Sequence, residues 1–339
     1  MRFLTAYYAT TPTVDVILHG SERMHNRPIG ALVDALTTLG ADIDYIDKIG
    51  FAPLRIKGKK LHGGVVTVDA SVSSQFVSAL MLVAPNFNNG LSIRLGKNTV
   101  SKPYITLTAD LLKQFGVDIT VQDDVVIKPY QTQNIPDTFF IEPDWSAAAF
   151  WYQLLALAKD GNITLNKLTP NSAQGDAIIA DYMERFGIST QFNKQGAVLS
   201  KNNNYLEKAY YDMLNYPDML PAMAVLMCAL NIPCTFINVA HLEAKESKRL
   251  TALCNELGKC GFDISHNGSE LQINSIGEEN LTKPTSFNTY QDHRMAMALA
   301  PLALLFEEVV INDGEVVEKS YPHFWDDLRK VGFEVTVED

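Results

Sequence analysis

Asp292, His293 and Arg294 stand in a row in the polar half of Tyr290-Gln-Asp-His-Arg-Met-Ala-Met-Ala-Leu-Ala300. An acid, an imidazole and a guanidinium are followed there by a small, apolar, helix-forming run. That order reads as a loop entering a buried helix, with Asp292 as its cap and Arg294 in the first turn. Unpaired backbone N–H groups and the helix dipole draw anions to such a start. A guanidinium adds a planar fork suited to a carboxylate or phosphate. The blander reading is a capped core helix whose Arg pairs with a nearby acid. Other basic or polar residues keep a fixed place: Arg27, Lys102, Gln174 and Lys319 lie 13 or 14 residues before Gly40, Gly116, Gly187 and Gly332. Lys245 and Arg249 bracket the equivalent place before Gly261. The dipole disfavours a cation at a helix start. Its repetition there points to held anions, with a solvated basic face as the alternative.

The elements that must position these residues repeat. A helix-ending glycine and a short strand recur at Gly40-Ala-Asp-Ile, Gly116-Val-Asp-Ile, Gly187-Ile-Ser-Thr, Gly261-Phe-Asp-Ile and Gly332-Phe-Glu-Val, 71 to 76 residues apart. Such near-equal intervals are the signature of an internal structural repeat. After each of the first four glycines a strand, a turn and a second strand follow, the second strands being 54–57, 125–128, 197–200 and 271–274. Third extended stretches are expected at 65–68, 138–141, 209–213 and 287–290. Then a polar loop carrying Ser73, Ser146, Asp218 or Asp292 opens an apolar helix, and a further strand and an amphipathic helix lead to the next glycine. Leu250, Leu253, Cys254 and Leu257 show the i, i+3, i+4 spacing of such a helix. The unit is helix, strand, helix and a run of strands, an α+β arrangement.

A chain of 339 residues allows two ordinary domains, and 47% hydrophobic with 20% charged residues supplies a normal core. The net charge of −11 argues against nucleic-acid and anionic-membrane partners. Cys228, Cys234, Cys254 and Cys260 form no CxxC pair, which leaves buried or free thiols as the expectation and no metal site. The apolar stretches are too short to span a bilayer. Met1–Ala9 lacks a signal-peptide h-region and reads as a helix. A cytoplasmic location is expected.

Six segments carry a resemblance along the whole length: Gly20-Ser-Glu-Arg-Met-His-Asn-Arg-Pro-Ile-Gly30, Ser71-Val-Ser-Ser-Gln-Phe76, Ser101-Lys-Pro-Tyr104, Asn171-Ser-Ala-Gln-Gly-Asp176, Lys245-Glu-Ser-Lys-Arg-Leu250 and 290–297. In these the chain resembles the 5-enolpyruvylshikimate-3-phosphate synthases. The resemblance implies an α+β fold of repeated βαβαββ units in two domains around a cleft. It implies residues 1–142 as an incomplete upper domain and 143–339 as the second. It also implies transfer of the enolpyruvyl group of phosphoenolpyruvate to the 5-hydroxyl of shikimate 3-phosphate with release of phosphate, without metal or organic cofactor. Carried over residue by residue, Asp218 is the base for the 5-hydroxyl, Glu246 the proton donor to the methylene carbon, and Lys245 serves both substrates. Ser73, Ser74, Gln75, Ser101, Tyr104, Asp218, His241 and Lys245 are the expected shikimate 3-phosphate ligands. Arg23, Gln75, Arg249, Arg294 and Lys319 are those for phosphoenolpyruvate. Lys245 and Arg249 are expected on one helical face, one turn apart. Asp218, Ser73 and Ser101 each read equally as simple helix caps, Tyr104 as a packing residue and His293 as a residue that orders its loop. A monomer is expected.

Two departures stand out. His241 occupies a place where the family commonly has Asn. The family's first Lys-Ser…Arg segment and its Asn-Ala-Gly-Thr-Ala loop have no match, although Arg2, 38 residues before Gly40, corresponds to Arg294, 38 before Gly332. A first unit is therefore expected upstream of Met1, and little or no turnover from this chain. The rivals are an inactive anion-binding fragment of the same fold, the related transferase acting on UDP-N-acetylglucosamine, whose catalytic Cys loop has no counterpart, and a nucleic-acid enzyme of similar repeats.

Overall fold

The computed structural model describes residues 1–130, 137–202, 204, 207–277 and 281–337. They form two compact units, Met1–Ile141 with Ala173–Gly175, and Glu142–Ser172 with Asp176–Asp339.

In unit 1 the order is α1 (Arg2–Thr10), β1 (Asp15–Leu18), α2 (Glu22–His25), α3 (Gly30–Thr38), β2 (Asp42–Tyr45), β3 (Leu54–Lys57), β4 (Gly64–Val68), α4 (Gln75–Val83), β5 (Leu91–Leu95), α5 (Lys102–Gln114), β6 (Ile119–Val121) and β7 (Asp124–Ile127). The sheets run β1-β3-β2 and β4-β5-β7-β6, with β4 and β5 parallel and every other pair antiparallel. Unit 2 repeats the plan with α6 (Trp145–Leu157), β8 (Asn162–Asn166), α7 (Ile179–Glu184), β9 (Ile188–Phe192), β10 (Gly196–Lys201), β11 (Ala209–Asp212), α8 (Leu220–Ala229), β12 (Cys234–Ile237), α9 (Arg249–Gly258), β13 (Asp263–His266) and β14 (Glu270–Asn274). Its sheets are β8-β10-β9 and β11-β12-β14-β13, again with one parallel pair, β11 and β12. α10 (His293–Leu299), α11 (Ala303–Phe306) and α12 (Phe324–Lys330) complete the described chain.

Burial explains which helices sit inside. α8 reads LPAMAVLMCA, apolar on every side, and Leu220 through Cys228 are all buried. A helix with no polar face has no place but a core. α6 and α10 pack with it, and together they carry the unit 2 core. α4 takes the same role in unit 1. α9, by contrast, buries one stripe, Leu250, Leu253 and Leu257, against the core. Burial pushes the Cys234 thiol up to about 12, so it stays a neutral packing group.

The repeat glycines have a common backbone reason. Gly40, Gly116, Gly187, Gly261 and Gly332 all lie at positive φ, between 80° and 100°. After each of four of them the next N–H reaches back to close the helix: Ala41 to Leu36, Val117 to Leu112, Phe262 to Leu257 and Phe333 to Leu328. These are Schellman-type ends, where a left-handed residue turns the chain and satisfies a terminal carbonyl.

Three expected strands are absent. Residues 138–141 and 333–335 take no strand conformation, and 287–290 is reduced to one parallel bridge, Phe287 to Ile311. The first of these leaves Phe140 and Ile141 exposed and β8-β10-β9 three-stranded. In the last, Tyr290 and Gln291 adopt φ of 54° and 57°, which ends extended pairing. The cap of α6 is Asp144, accepting from the Ser146 N–H, and not Ser146 itself.

Gly40 offers a clean test of the helix ends. A Cβ there would meet nothing within 4 Å, so only backbone conformation is at stake. Gly40→Ala should cost about 1 kcal/mol and Gly40→Asn less, read as a lower urea midpoint. An unchanged midpoint for the Ala variant would refute this role.

Candidate functional site

The site in unit 2 is built from three helix entries. α9 begins at Arg249, and its second and third N–H groups, Leu250 and Thr251, donate to the Glu243 carboxylate at 2.9 and 3.2 Å. α10 begins behind Asp292, whose Oδ1 accepts the Arg294 N–H at 3.0 Å. Asp218 precedes α8. It does not cap that helix, for its carboxylate is turned to cations.

Arg249 joins these entries. Its Nε donates to Asp292 Oδ2 at 2.9 Å, its Nη1 to Asp218 Oδ1 at 2.8 Å and its Nη2 to Glu246 Oε2 at 3.1 Å. The Ser247 hydroxyl adds a bond to Asp292 Oδ2 at 2.8 Å. Arg249 is 1% exposed and Asp292 0%. Burial alone would neutralise such groups, but the charges of Asp292, Asp218 and Glu246 outweigh it and hold the guanidinium protonated. Burial likewise opposes the ionised form of Asp292, and Arg249 overcomes it, so this carboxyl lies well below the usual range.

Asp218 gathers two further cations. Arg294 Nη2 lies 3.4 Å from Oδ2 and its Nη1 donates to the Asp218 carbonyl at 3.3 Å, while Lys245 Nζ is 3.9 Å from Oδ1. Burial works against ionised Asp218, but Arg294, Lys245 and Arg249 hold its carboxyl far below normal. Burial also lowers the Lys245 ammonium, with Asp218 resisting. Lys245 and Arg249 do not share a helical face as expected. Lys245 follows the 3-10 turn Ala240–Ala244, outside α9, and both reach the Asp218 carboxylate.

His241 is buried, its Nε2 has no hydrogen-bond partner, and burial pushes the ring down to about 4. It is therefore neutral. Its bond to the Asn238 backbone occupies the other nitrogen, so Nε2 is an acceptor as the ring stands. His293 is likewise lowered by burial and by Arg294. Lys319 ends the 3-10 turn Gly314–Lys319 and donates to the Gln291 carbonyl at 2.9 Å.

Two residues near this cluster were not named from the sequence as catalytic or substrate-binding, Asp292 having been read there only as a helix cap. Asp292 is the hub just described. Asp176, buried, accepts a short hydrogen bond from Ser146, and burial with the Asp218 charge raises its carboxyl to about 6. Its signal was present in Asn171-Ser-Ala-Gln-Gly-Asp176.

Unit 1 carries its own set. Arg2 Nη1 donates to Ser73 Oγ and Gln75 Oε1, both at 2.8 Å, and Nη2 to the Pro28 carbonyl at 3.2 Å. The guanidinium also stacks over Phe76, 4.7 Å from its centroid. Arg2 thus fixes Ser73 and Gln75, and its correspondence with Arg294 was the sequence sign of that role. Ser74 is buried at the N-cap position of α4. Ser101, at φ 54° before α5, has a buried Oγ without a partner. Tyr104 lies in the first turn of α5, and Arg23 on α2.

Among the described residues no helix is long and apolar enough to cross a membrane. The EPSP synthase (3-phosphoshikimate 1-carboxyvinyltransferase) family profile matches residues 1–328. A 3-phosphoshikimate 1-carboxyvinyltransferase of Bacteroides fragilis is 42% identical, over 99% of this chain and 82% of its own length. That of Methanospirillum hungatei is 34% identical, over 93% of this chain and 73% of its own. An EPSP synthase structure from Acinetobacter baumannii superposes with a TM-score of 0.76 at 19% identity, covering all of this chain and 78% of that one. The likeness is one of fold.

Neutral His241 sets a pH dependence. Its folded value lies below the ordinary 6.5, so the unfolded state binds the proton first. Stability from this group is complete above about 6.5 and is lost as pH falls toward 4. His241→Asn, which cannot titrate, should lose less melting temperature between those limits than the unaltered chain. Equal losses would exclude His241 as the source.

Proposed function

We propose how these side chains work from one premise: the chain belongs to the EPSP synthase (3-phosphoshikimate 1-carboxyvinyltransferase) family. Its reaction is transfer of the enolpyruvyl group from phosphoenolpyruvate to the 5-hydroxyl of shikimate 3-phosphate, in the shikimate pathway to chorismate and the aromatic amino acids. The observation that carries the residue-level reading is the partly buried Asp218, ionised and ringed by Arg249, Arg294 and Lys245. Three cations held by acids are a reserve for a polyanionic substrate.

The steps follow from that geometry. The phosphate and carboxylate of phosphoenolpyruvate draw the guanidinium forks of Arg294 and Arg249, and Lys245 joins them. As the cations turn to the substrate, Asp218 loses the charges that hold it ionised and can take up a proton, and Glu246 loses its bond to Arg249 and is released for proton transfer. Glu246 gives a proton to the methylene carbon. The 5-hydroxyl oxygen bonds the adjacent carbon, and its proton passes to Asp218. The tetrahedral intermediate then expels phosphate, which leaves with the proton from Asp218, while Glu246 recovers a methyl proton and the double bond re-forms in the ether. Lys319 and Arg23 add to the phosphoenolpyruvate ligands. Ser73, Ser74, Gln75, Ser101 and Tyr104 hold shikimate 3-phosphate, with Gln75 also toward phosphoenolpyruvate. The unpartnered, buried Ser101 hydroxyl supports this, since such a group lacks the bond that burial demands. His241 assists only through its second tautomer, with the proton on Nε2.

Binding is the direct readout. Isothermal titration should show shikimate 3-phosphate bound and UDP-N-acetylglucosamine not. Lys245→Ala should weaken the former about tenfold or more, the loss of one charge-assisted bond. Binding of the sugar nucleotide without shikimate 3-phosphate would overturn the reading.

A further inference from the structure

We propose that Glu256 is a positioning residue, whose buried carboxylate clamps the turn at residues 288–291 and thereby sets Asp292, Arg294 and Lys319. Glu256 lies on α9 and is 0% exposed, where a carboxylate persists only if it is matched. Its Oε1 accepts the Tyr290 hydroxyl at 2.7 Å. Its Oε2 accepts the Asn288 N–H at 2.9 Å and the Lys259 ammonium.

The turn it grips is strained. Tyr290 and Gln291, at φ 54° and 57°, are consecutive left-handed residues and neither is glycine. Side chains resist that conformation, which survives where the surroundings over-determine it. The turn serves two parts of the site. It delivers Asp292 to the start of α10, with the Asp292 N–H bonded to the Thr289 carbonyl at 2.9 Å. It also turns out the Gln291 carbonyl, which receives Lys319 Nζ at 2.9 Å. Glu256 stands seven residues after Arg249 on α9, two turns along the same face. One rigid helix therefore holds this segment twice, through Glu256 at the turn and through Arg249 at Asp292. A positional error at the turn would pass to Arg294 and Lys319 together.

The consequence for ligands rests on the reading of Arg294 and Lys319 as phosphoenolpyruvate contacts. The test therefore pairs hydrogen exchange over residues 288–297 with titration of phosphoenolpyruvate in the presence of shikimate 3-phosphate. It uses the full chain and its Glu256→Ala, Glu256→Gln and Tyr290→Phe variants. Glu256→Ala and Tyr290→Phe should raise exchange in this segment about tenfold above any change elsewhere in unit 2, and weaken phosphoenolpyruvate about tenfold with shikimate 3-phosphate unaffected, one charged hydrogen bond being lost. Glu256→Gln, which keeps an acceptor for the Asn288 N–H, should restore most of both. Exchange that rises uniformly, or not at all, overturns the clamp. Local loosening with unaltered phosphoenolpyruvate affinity overturns its role in the site. If the unaltered chain binds neither substrate, the functional reading fails while exchange still decides the clamp. If Glu256→Ala does not fold, Tyr290→Phe carries the test.

Discussion

The buried guanidinium of Arg249 is the constraint on which unit 2 depends. It is 1% exposed and gives one N–H to each of Asp292, Asp218 and Glu246. These acids come from three places in the chain, so the ion cluster fixes three loops at once. A buried pair of this kind adds little net stability, since desolvation offsets attraction. Removing one partner, however, leaves a buried charge and costs about 3–5 kcal/mol. The cluster therefore specifies geometry, and folding of α8, α9 and α10 must bring all its members into place.

The repeat supplies one frame and the polar loops use it in different ways. Each internal helix begins after a polar loop, and each such start is settled by its own partner. Ser73 and Gln75 are fixed by Arg2, Asp144 caps α6, Asp218 takes cations, and Asp292 does both jobs, capping α10 with one oxygen and binding Arg249 with the other. The α10 start illustrates a limit on helix ends as anion sites. Its Arg294 N–H is already taken by Asp292, so the side chain of Arg294 and not the backbone faces outward to Asp218.

Much of the fold was legible because its signals are local. Gly40 and its counterparts need positive φ, and only a helix end of this type asks for glycine at so regular a place. The cap at Asp292 was legible for the same reason. The absence of the strands expected at 138–141 and 333–335 was not, since extended sequence becomes a strand only where a neighbour has unpaired N–H and C=O groups to offer. In the site, residue types were legible but pairing was not. Lys245 and Arg249 meet through Asp218, 27 and 31 residues away in sequence, and no periodicity carries that information. Arg2 and Asp176 were not read as site residues because their roles lie in orienting Ser73 and in setting a second buried carboxyl, raised to about 6, beside the Asp218 charge.

Catalysis, as proposed for this site, turns on a handover of cations from Asp218 to an anionic substrate. Both states of Arg249 and Arg294 are charge-paired, so neither guanidinium is left bare by the exchange. The direct measurement is the rise in melting temperature that saturating phosphoenolpyruvate produces in the unaltered chain and in Asp218→Asn. If Asp218 competes with the substrate for these cations, removing its charge leaves them in want of an anion, and the ligand-induced rise is larger in the variant. A rise that disappears in Asp218→Asn, with the variant still folded, would contradict the handover.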